Sequence, residues 1–190
     1  MLELIYPSET VPPVLSGVQF PSSSEMLPIV EPSGIVIGQA ARAFCHGGSM
    51  LLHPVVHLHI VGRDGSIYLQ RRSANKKLLP LYWDTAVGGH VGCGEMMEES
   101  LYREAAEELD FYDFNPQSIG SYIWESPRER ELVGVYAAVG NFHLVPDNYE
   151  VCEGRYWSIP EIDRAIGSGV LTPNFEYEYA LVKDKLLSLL

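Results

Sequence analysis

The sequence predicts a mixed α/β (α+β) fold built around a mixed central sheet. Short apolar segments of strand type recur along the chain and are separated by turn residues. A glycine-rich turn then leads into a long, glutamate-dense helix predicted at 95–109. The chain has 190 residues, 46% of them hydrophobic, which is enough for one domain with a sizeable core.

The first 24 residues predict an irregular N-terminal extension, followed by a single domain at 25–190. Prolines and a serine run interrupt the extension, and it has neither strand nor helix periodicity. Its apolar residues indicate that it packs on something, either the domain surface or a second copy. A homodimer therefore stays open.

The predicted elements alternate from residue 25 onward. A hairpin is predicted at 26–38 around Pro32-Ser33-Gly34, and a short helical turn at 39–44. Further strands are predicted at 52–61, 66–72, 85–87, 121–125, 131–142 and 151–157. After the helix at 95–109, one helix opens at Pro160 and a last one follows Thr172-Pro173, each with proline in its first turn.

Composition excludes several classes of partner. The net charge of −12 argues against a nucleic-acid polymer or an anionic membrane. It does not exclude a phosphorylated small molecule, because a cation and a few basic residues can reverse the field in one pocket. No apolar run reaches the roughly 18 residues of a membrane span, and the N-terminus has no secretory pattern. With three cysteines that lack metal-binding spacing, these features predict a cytoplasmic protein with reduced thiols.

The helix predicted at 95–109 carries an unusual concentration of carboxylates. Glu104, Glu107 and Glu108 lie on one helical face, where like charges repel each other. A solvated acidic helix is the simplest interpretation, but so dense a cluster favours a bound divalent cation. Mg²⁺, or Mn²⁺, held by carboxylate oxygens and substrate phosphates suits these ligands.

The segment from Gly89 to Phe111 also resembles the Nudix box. Glu95, Arg103-Glu104 and Glu107-Glu108 match its charged positions, and Asp110 departs from it by replacing the usual glycine. The resemblance implies a Nudix-type α/β/α sandwich and Mg²⁺-dependent hydrolysis of a phosphoanhydride bond.

The resemblance also implies the roles of the box residues. Glu104, Glu107 and Glu108 would be catalytic and hold the metal, with the Gly89 carbonyl completing its shell, and Glu107 could instead activate water. Glu95 and Arg103 would be structural and pair with each other. In some Nudix enzymes the general base comes from a later loop, and Glu150 or Glu153 would serve here.

The strand predicted at 52–61 carries three histidines at one parity. Alternation places His53, His57 and His59 on one face and the apolar residues on the core face. For His57 and His59, a polar strand face with satisfied imidazoles is the favoured interpretation.

From residue 25 onward the chain resembles the isopentenyl-diphosphate-isomerase-like branch of the Nudix superfamily. Five of its residues match, in order, the ligands that bind one divalent metal in the isomerases. These are His46, His53, His90, Glu129 and Glu131. Three imidazoles and two carboxylates suit Zn²⁺ or Mn²⁺, so a second divalent metal is expected here.

The basic segment 70–77 resembles the part of the isomerases that grips the substrate diphosphate. Arg72 and Lys76 occupy the matching positions. A solvated loop is the alternative, but so dense a basic cluster in so acidic a chain favours an anion site.

The resemblance to the isomerases fails at their catalytic cysteine. Gly88 stands in its place, and Cys93 lies on the other side of the loop. Trp124 most nearly matches the position of their catalytic tyrosine, whereas the Nudix box is complete. Hydrolysis of a nucleoside- or prenyl-type diphosphate is therefore predicted. The alternatives are an isomerase-like enzyme and a non-catalytic, nucleotide-sensing domain. Substrate identity would depend on loops 112–130 and 143–150, which carry no readable pattern.

Overall fold

A computed structural model describes residues 2–7, 13, 14, 20, 21 and 23–190. Its helices are Arg42–Phe44 (α1), Met97–Leu109 (α2), Ile159–Ala165 (α3) and Pro173–Leu187 (α4), and a π-helical turn, Cys45–Ser49, follows α1. Its strands are Met26–Val30 (β1), Val36–Ala41 (β2), Leu52–Val61 (β3), Ile67–Arg72 (β4), Trp83–Thr85 (β5), Val87–His90 (β6), Gln117–Glu125 (β7), Arg130–Val139 (β8) and Val151–Trp157 (β9). No helix in this part of the chain has the length and apolar character that a membrane span needs.

The strands form two sheets. β1 and β2 make an antiparallel pair, which confirms the predicted hairpin. The other seven strands form one sheet in the order β5-β4-β3-β8-β7, with β6 paired to β3 and β9 to β4. β4 runs antiparallel to β3, β5 and β9. The predicted fold class, a mixed α/β fold around a central sheet, is confirmed.

Helix α2 begins two residues later than the sequence predicts. The Glu95 carboxylate accepts the backbone N–H of Gly92 at 2.9 Å and the hydroxyl of Ser100 at 2.6 Å. Glu95 therefore belongs to the turn that starts the helix, because its side chain holds the glycine loop against the first helical turn.

The end of α2 explains how Asp110 replaces the usual glycine. Asp110 has a left-handed backbone with φ of 51°, and its N–H donates to the Ala106 carbonyl at 3.1 Å. Aspartate is one of the few residues other than glycine that visits this conformation readily. The chain can therefore end the helix here without a glycine.

The histidine face that alternation predicts for β3 is buried rather than open to solvent. All ten residues of β3 are buried, so both faces of the strand are covered. His59 is fully buried and His57 is 9% exposed. Alternation indicates which side chains share a face, but it does not show that another part of the chain covers the second face.

The chain divides into two compact units, of which the first comprises residues 1–56, 89–100 and 120–134. Leu27, Ile29, Ala40 and Cys45 form a buried cluster in it. Residues 2–7 pack here as well: the Val36 N–H donates to the Ile5 carbonyl at 2.8 Å. Half of the predicted N-terminal extension, residues 1, 8–12, 15–19 and 22, lies outside the described part of the chain.

The second unit comprises residues 57–88, 101–119 and 135–190. α4 turns an apolar stripe, Phe175, Tyr179, Val182 and Leu186, into its interior. The residues recur at helical spacing, so α4 is anchored by one face. Thr172 caps the helix by accepting the Phe175 N–H at 3.2 Å.

Candidate active site

Of the three predicted catalytic glutamates, Glu108 is buried and Glu104 is partly buried in the second unit. The Glu104 side chain is 15% exposed and Glu108 is 5% exposed, whereas Glu107 is 61% exposed. Burial raises the pKa of Glu108 to about 8, and the Glu104 charge adds to the effect. Burial also raises the pKa of Glu104 above its usual value. One buried and one partly buried carboxylate, both with raised pKa values, are suited to a divalent cation, which would relieve both the desolvation and the repulsion.

The Glu108 carboxylate is held by two neutral donors. The Gly88 N–H donates to Oε2 at 3.2 Å, and the Gln70 amide donates to the same oxygen at 3.3 Å. Sequence reasoning missed Gln70. Its position as a polar residue at the end of the buried run Ile67–Leu69 was the available signal.

The loop at 143–150 brings a fourth carboxylate to this group. The backbone N–H groups of Val145 and Asp147 donate to the carbonyls of Leu109 and Glu108, at 2.9 and 3.0 Å. The Glu150 charge contributes to the raised pKa values of Glu104 and Glu108. Of the two alternative bases predicted from later loops, Glu150 is therefore the one near the catalytic carboxylates.

The predicted diphosphate-binding residues have different surroundings. Lys76 forms an ion pair with Glu150, and its charge acts to lower the pKa of Glu108. Arg72 instead donates to Asp84 at 3.2 Å and to the Leu78 carbonyl at 3.2 Å. Thus Lys76 lies near the catalytic carboxylates, while Arg72 also holds its own loop in place.

The two structural residues of the box make local contacts. Arg103 donates to Glu104 at 2.7 Å and approaches Glu107 at 3.5 Å. Glu95 holds the glycine loop as described above, and Gly89 lies in β6. The predicted pairing of Arg103 with Glu95 stays a prediction.

The predicted second metal ligands come together in the first unit. The ligand nitrogens of His46, His53 and His90 lie within 4.8 Å of one another. His46 pairs with Glu129, and Glu131 Oε1 lies 4.0 Å from His53 Nε2. His46 comes from the π-helical turn, His53 from β3 and His90 from β6, so three separate elements converge.

The chemistry of these imidazoles fits a divalent metal. His53 Nδ1 donates to the Leu51 carbonyl at 3.0 Å, which leaves Nε2 with a lone pair. That nitrogen is buried and has no hydrogen-bond partner in the described part of the chain. Burial also lowers the pKa of His53 and so favours the neutral, metal-binding form. Imidazole and carboxylate ligands together suit Zn²⁺ or Mn²⁺.

A buried carboxylate that the sequence analysis missed lies in the second unit. Glu178 on α4 is fully buried and accepts hydrogen bonds from His57 Nδ1 at 2.8 Å and His59 Nε2 at 2.6 Å. Burial by itself would raise the pKa of Glu178, but the two histidines hold it below its usual value. The signal was its position within the apolar stripe of α4, three residues after Phe175.

Comparison with known proteins decides the family. Residues 51–175, about two thirds of the chain, match the NUDIX domain family. The chain belongs to the NUDIX domain family. The predicted resemblance to the Nudix superfamily, including its isopentenyl-diphosphate-isomerase-like branch, is confirmed by relatives of both kinds.

A Nudix relative and an isomerase relative are both matched over most of their length. An uncharacterized Nudix hydrolase from Streptomyces coelicolor is 39% identical over 85% of this chain and 90% of its own. An isopentenyl-diphosphate Delta-isomerase from Leifsonia xyli is 31% identical over 79% of this chain and 83% of its own. Some relatives are matched only in part: the chain spans 58% of an uncharacterized Nudix hydrolase from Nostoc.

Solved structures support the fold. The crystal structure of DR0079 from Deinococcus radiodurans has a TM-score of 0.67 and 25% identity to this NUDIX chain. The match covers 78% of this chain and 92% of DR0079. The NUDIX fold therefore accounts for most of the chain.

Proposed function

We propose that this NUDIX protein hydrolyses a phosphoanhydride bond in a small diphosphate substrate of the nucleoside or prenyl type. The observation that carries the proposal is the pair formed by the partly buried Glu104 and the buried Glu108, with raised pKa values beside Lys76. Such a pair is unfavourable without a cation, and a lysine at its edge supplies positive charge for a phosphate. An acidic protein with local positive charge at this position suits a small phosphorylated substrate better than a polymer.

Each carboxylate has a role that follows from its exposure. Glu104 and Glu108 would hold Mg²⁺ or Mn²⁺, because they are shielded from solvent in part or in full and share one helical face. When bound, the cation neutralises phosphoryl charge and lowers the pKa of a coordinated water. Glu107, which faces solvent, is the further ligand or the group that accepts the proton of the attacking water. Gly89 remains a ligand that the family resemblance implies.

The substrate diphosphate is held by Lys76 and Arg72. Lys76 is paired with Glu150 in this structure, and its ammonium group has three donors, so it can bind a phosphate oxygen beside Glu150 or in its place. Glu150 then becomes an alternative general base near Glu104 and Glu108. Glu95 and Arg103 keep structural roles, since their contacts organise the loop and the helix.

We also propose that His46, His53 and His90, with Glu129 and Glu131, hold a second divalent metal. The buried, unpartnered His53 Nε2 supports this, because a neutral imidazole in that position needs a partner that can accept its lone pair. Isomerisation of isopentenyl diphosphate is the second candidate function, because these five residues match the isomerase pattern. The glycine at position 88 argues against it, since a glycine offers no acid or base there.

A panel of nucleoside, sugar, coenzyme and prenyl diphosphates, with Mg²⁺ and Mn²⁺ compared, tests the proposal by phosphate release. Glu108→Gln and Glu104→Gln should lower kcat at least 100-fold for any substrate that is cleaved. Glu153→Gln is the matched control: it removes an acid outside the box and should retain activity within about twofold. Full hydrolysis by both box variants would contradict the proposal, and conversion of isopentenyl to dimethylallyl diphosphate would favour the second candidate.

A small-molecule substrate is the only partner that we propose. The homodimer left open by the N-terminal extension and the cytoplasmic location both stay predictions. Gel filtration of the full chain would decide the first of them.

A further inference from the structure

The buried Glu178 cluster has no role in the function proposed above. It consists of Glu178, His57 and His59, and Thr85 adds its hydroxyl at 3.4 Å from Glu178. An ionised glutamate accepts hydrogen bonds and cannot donate them, so both imidazoles donate to it. A buried charge network contributes little to stability compared with apolar packing. The position of this cluster near the candidate active site therefore indicates a role other than stability.

The ring of His57 occupies the space into which a side chain at position 88 would project. A Cβ added to Gly88 would meet His57 Cδ2 at 3.3 Å and Nε2 at 3.5 Å, and among the residues that the structure describes it would meet no other, apart from the chain neighbours, within 4 Å. The imidazole therefore limits the size of the side chain that position 88 can hold. The imidazole in turn is fixed by Glu178, because its Nδ1 donates to that carboxylate.

The Gly88 peptide also fixes Glu108. Its N–H donates to Glu108 Oε2, so any movement of this peptide changes the position of a carboxylate assigned to the cation. All four residues belong to the second unit. They are neighbours one after another: Glu178 is bonded to His57, the His57 ring borders the open side of the Gly88 Cα, and the Gly88 N–H is bonded to Glu108.

We propose that His57, oriented by Glu178, is a positioning residue that fixes the Gly88 peptide and thereby sets Glu108 for metal binding. This inference rests on the proposed function, since it gives Glu108 the role of a metal ligand. Replacing a residue that contacts a metal ligand, without itself binding the metal, commonly weakens metal affinity about 10- to 100-fold. His57 acts on Glu108 through the Gly88 peptide and not directly, so we expect a loss of metal affinity at the lower end of that range.

His59 provides a matched control. It donates to the same carboxylate and is also buried, but it is not among the atoms that a Cβ at position 88 would meet. The variant His57→Asn keeps an amide nitrogen near the position of Nδ1, and His59→Gln keeps one near the position of Nε2. Each variant can therefore keep its bond to Glu178 and lose its ring, but only His57→Asn removes the contact with Gly88.

The first measurement uses metal-free protein. Amide hydrogen exchange at Gly88, followed by NMR, should accelerate at least about tenfold in His57→Asn and less than about twofold in His59→Gln. The second measurement is Mn²⁺ binding by calorimetry, where Kd should rise about tenfold in His57→Asn alone. Glu108→Gln identifies which binding event belongs to Glu108.

A double-mutant cycle tests the ring contact itself. Gly88→Ala should accelerate exchange in the wild-type background, because its Cβ presses on His57, and should have a smaller effect in His57→Asn. Equal effects of His57→Asn and His59→Gln on exchange and Mn²⁺ affinity would overturn the inference and leave the proposed function standing. Unchanged Mn²⁺ binding and hydrolysis in Glu108→Gln would instead overturn the proposed function.

Discussion

Replacing Glu108 by glutamine should stabilise the metal-free protein at alkaline pH. Burial raises the pKa of Glu108 from its ordinary 4.5 to about 8, so between these pH values the native state holds a proton that the unfolded state has lost. The free energy of unfolding must then fall as pH rises through this window. Glutamine resembles the protonated side chain and carries no charge, so the variant should lose this part of the pH dependence.

The structure also indicates why glutamine should fit. Both donors to Glu108, the Gly88 N–H and the Gln70 amide, reach the same oxygen, Oε2. A glutamine can keep both bonds through its one amide oxygen. Glu108 is 5% exposed, so solvent screening of its charge is weak.

The magnitude follows from the pKa difference. A change from 4.5 to about 8 corresponds to an upper limit of ~5 kcal/mol above pH 8. Penetration of water and relaxation around a buried charge reduce such penalties, so we expect ~2 kcal/mol. For a domain of this size, that is a Tm increase of about 4–8 °C.

Differential scanning calorimetry at pH 5 and pH 8, in a chelating buffer, measures this directly. The Tm of Glu108→Gln should be higher than that of wild type at pH 8 and nearly equal to it at pH 5. The exposed variant Glu107→Gln should change the free energy of unfolding by no more than about 0.5 kcal/mol at either pH. With Mg²⁺ added, wild type should become more stable than Glu108→Gln, because only wild type gains binding free energy. A variant that is destabilised equally at both pH values would refute the reasoning, since Glu108 would then be stabilised as a charged group.

Four further predictions test other parts of the molecule. Lys76→Met should raise KM for the diphosphate about tenfold or more with a smaller effect on kcat, whereas the neighbouring Lys77→Met should change neither by more than about twofold in the same steady-state assay. His53→Asn should lower the metal bound per chain by one equivalent in elemental analysis, and Glu108→Gln should leave that equivalent in place. Glu178→Leu should lower the free energy of unfolding in urea by about 3–5 kcal/mol, because two buried imidazoles lose their acceptor, and a smaller loss than in Glu178→Gln would contradict this. Iodoacetamide at pH 8 should label the exposed Cys152 well before Cys45 and Cys93, since burial raises the pKa of both thiols to about 11; mass spectrometry of the peptides gives the order.

The fold could be predicted largely because its local signals agree with one another. The strand at 151–157 and the hairpin at 26–38 have clear turn residues and apolar patterns, and the structure confirms both. Helix boundaries were less accurate. Glu95 fits a helix by composition, but its side chain bonds backward to the glycine loop, and such a contact is not visible in periodicity.

The residues of the candidate site likewise divide into those that the sequence predicts and those that it does not. Residues that share one helix face or match a known spacing, such as Glu104 with Glu108 and His46 with His53, could be found from the sequence. Gln70 and Glu178 could not be assigned a role, because their partners lie 38 and about 120 residues away. The Lys76 pair with Glu150 was missed for the same reason, since its residues are 74 positions apart.

The attachment of the loop at 143–150 has a consequence for how this protein can change over time. Its two bonds to the end of α2 use only backbone atoms of Val145 and Asp147, and they satisfy helix-end carbonyls that would otherwise need another donor. Most side chains of the loop can therefore be exchanged without releasing it. With the roles proposed above for this loop and for Glu150, substrate preference could change there by mutation while Glu150 stays in place.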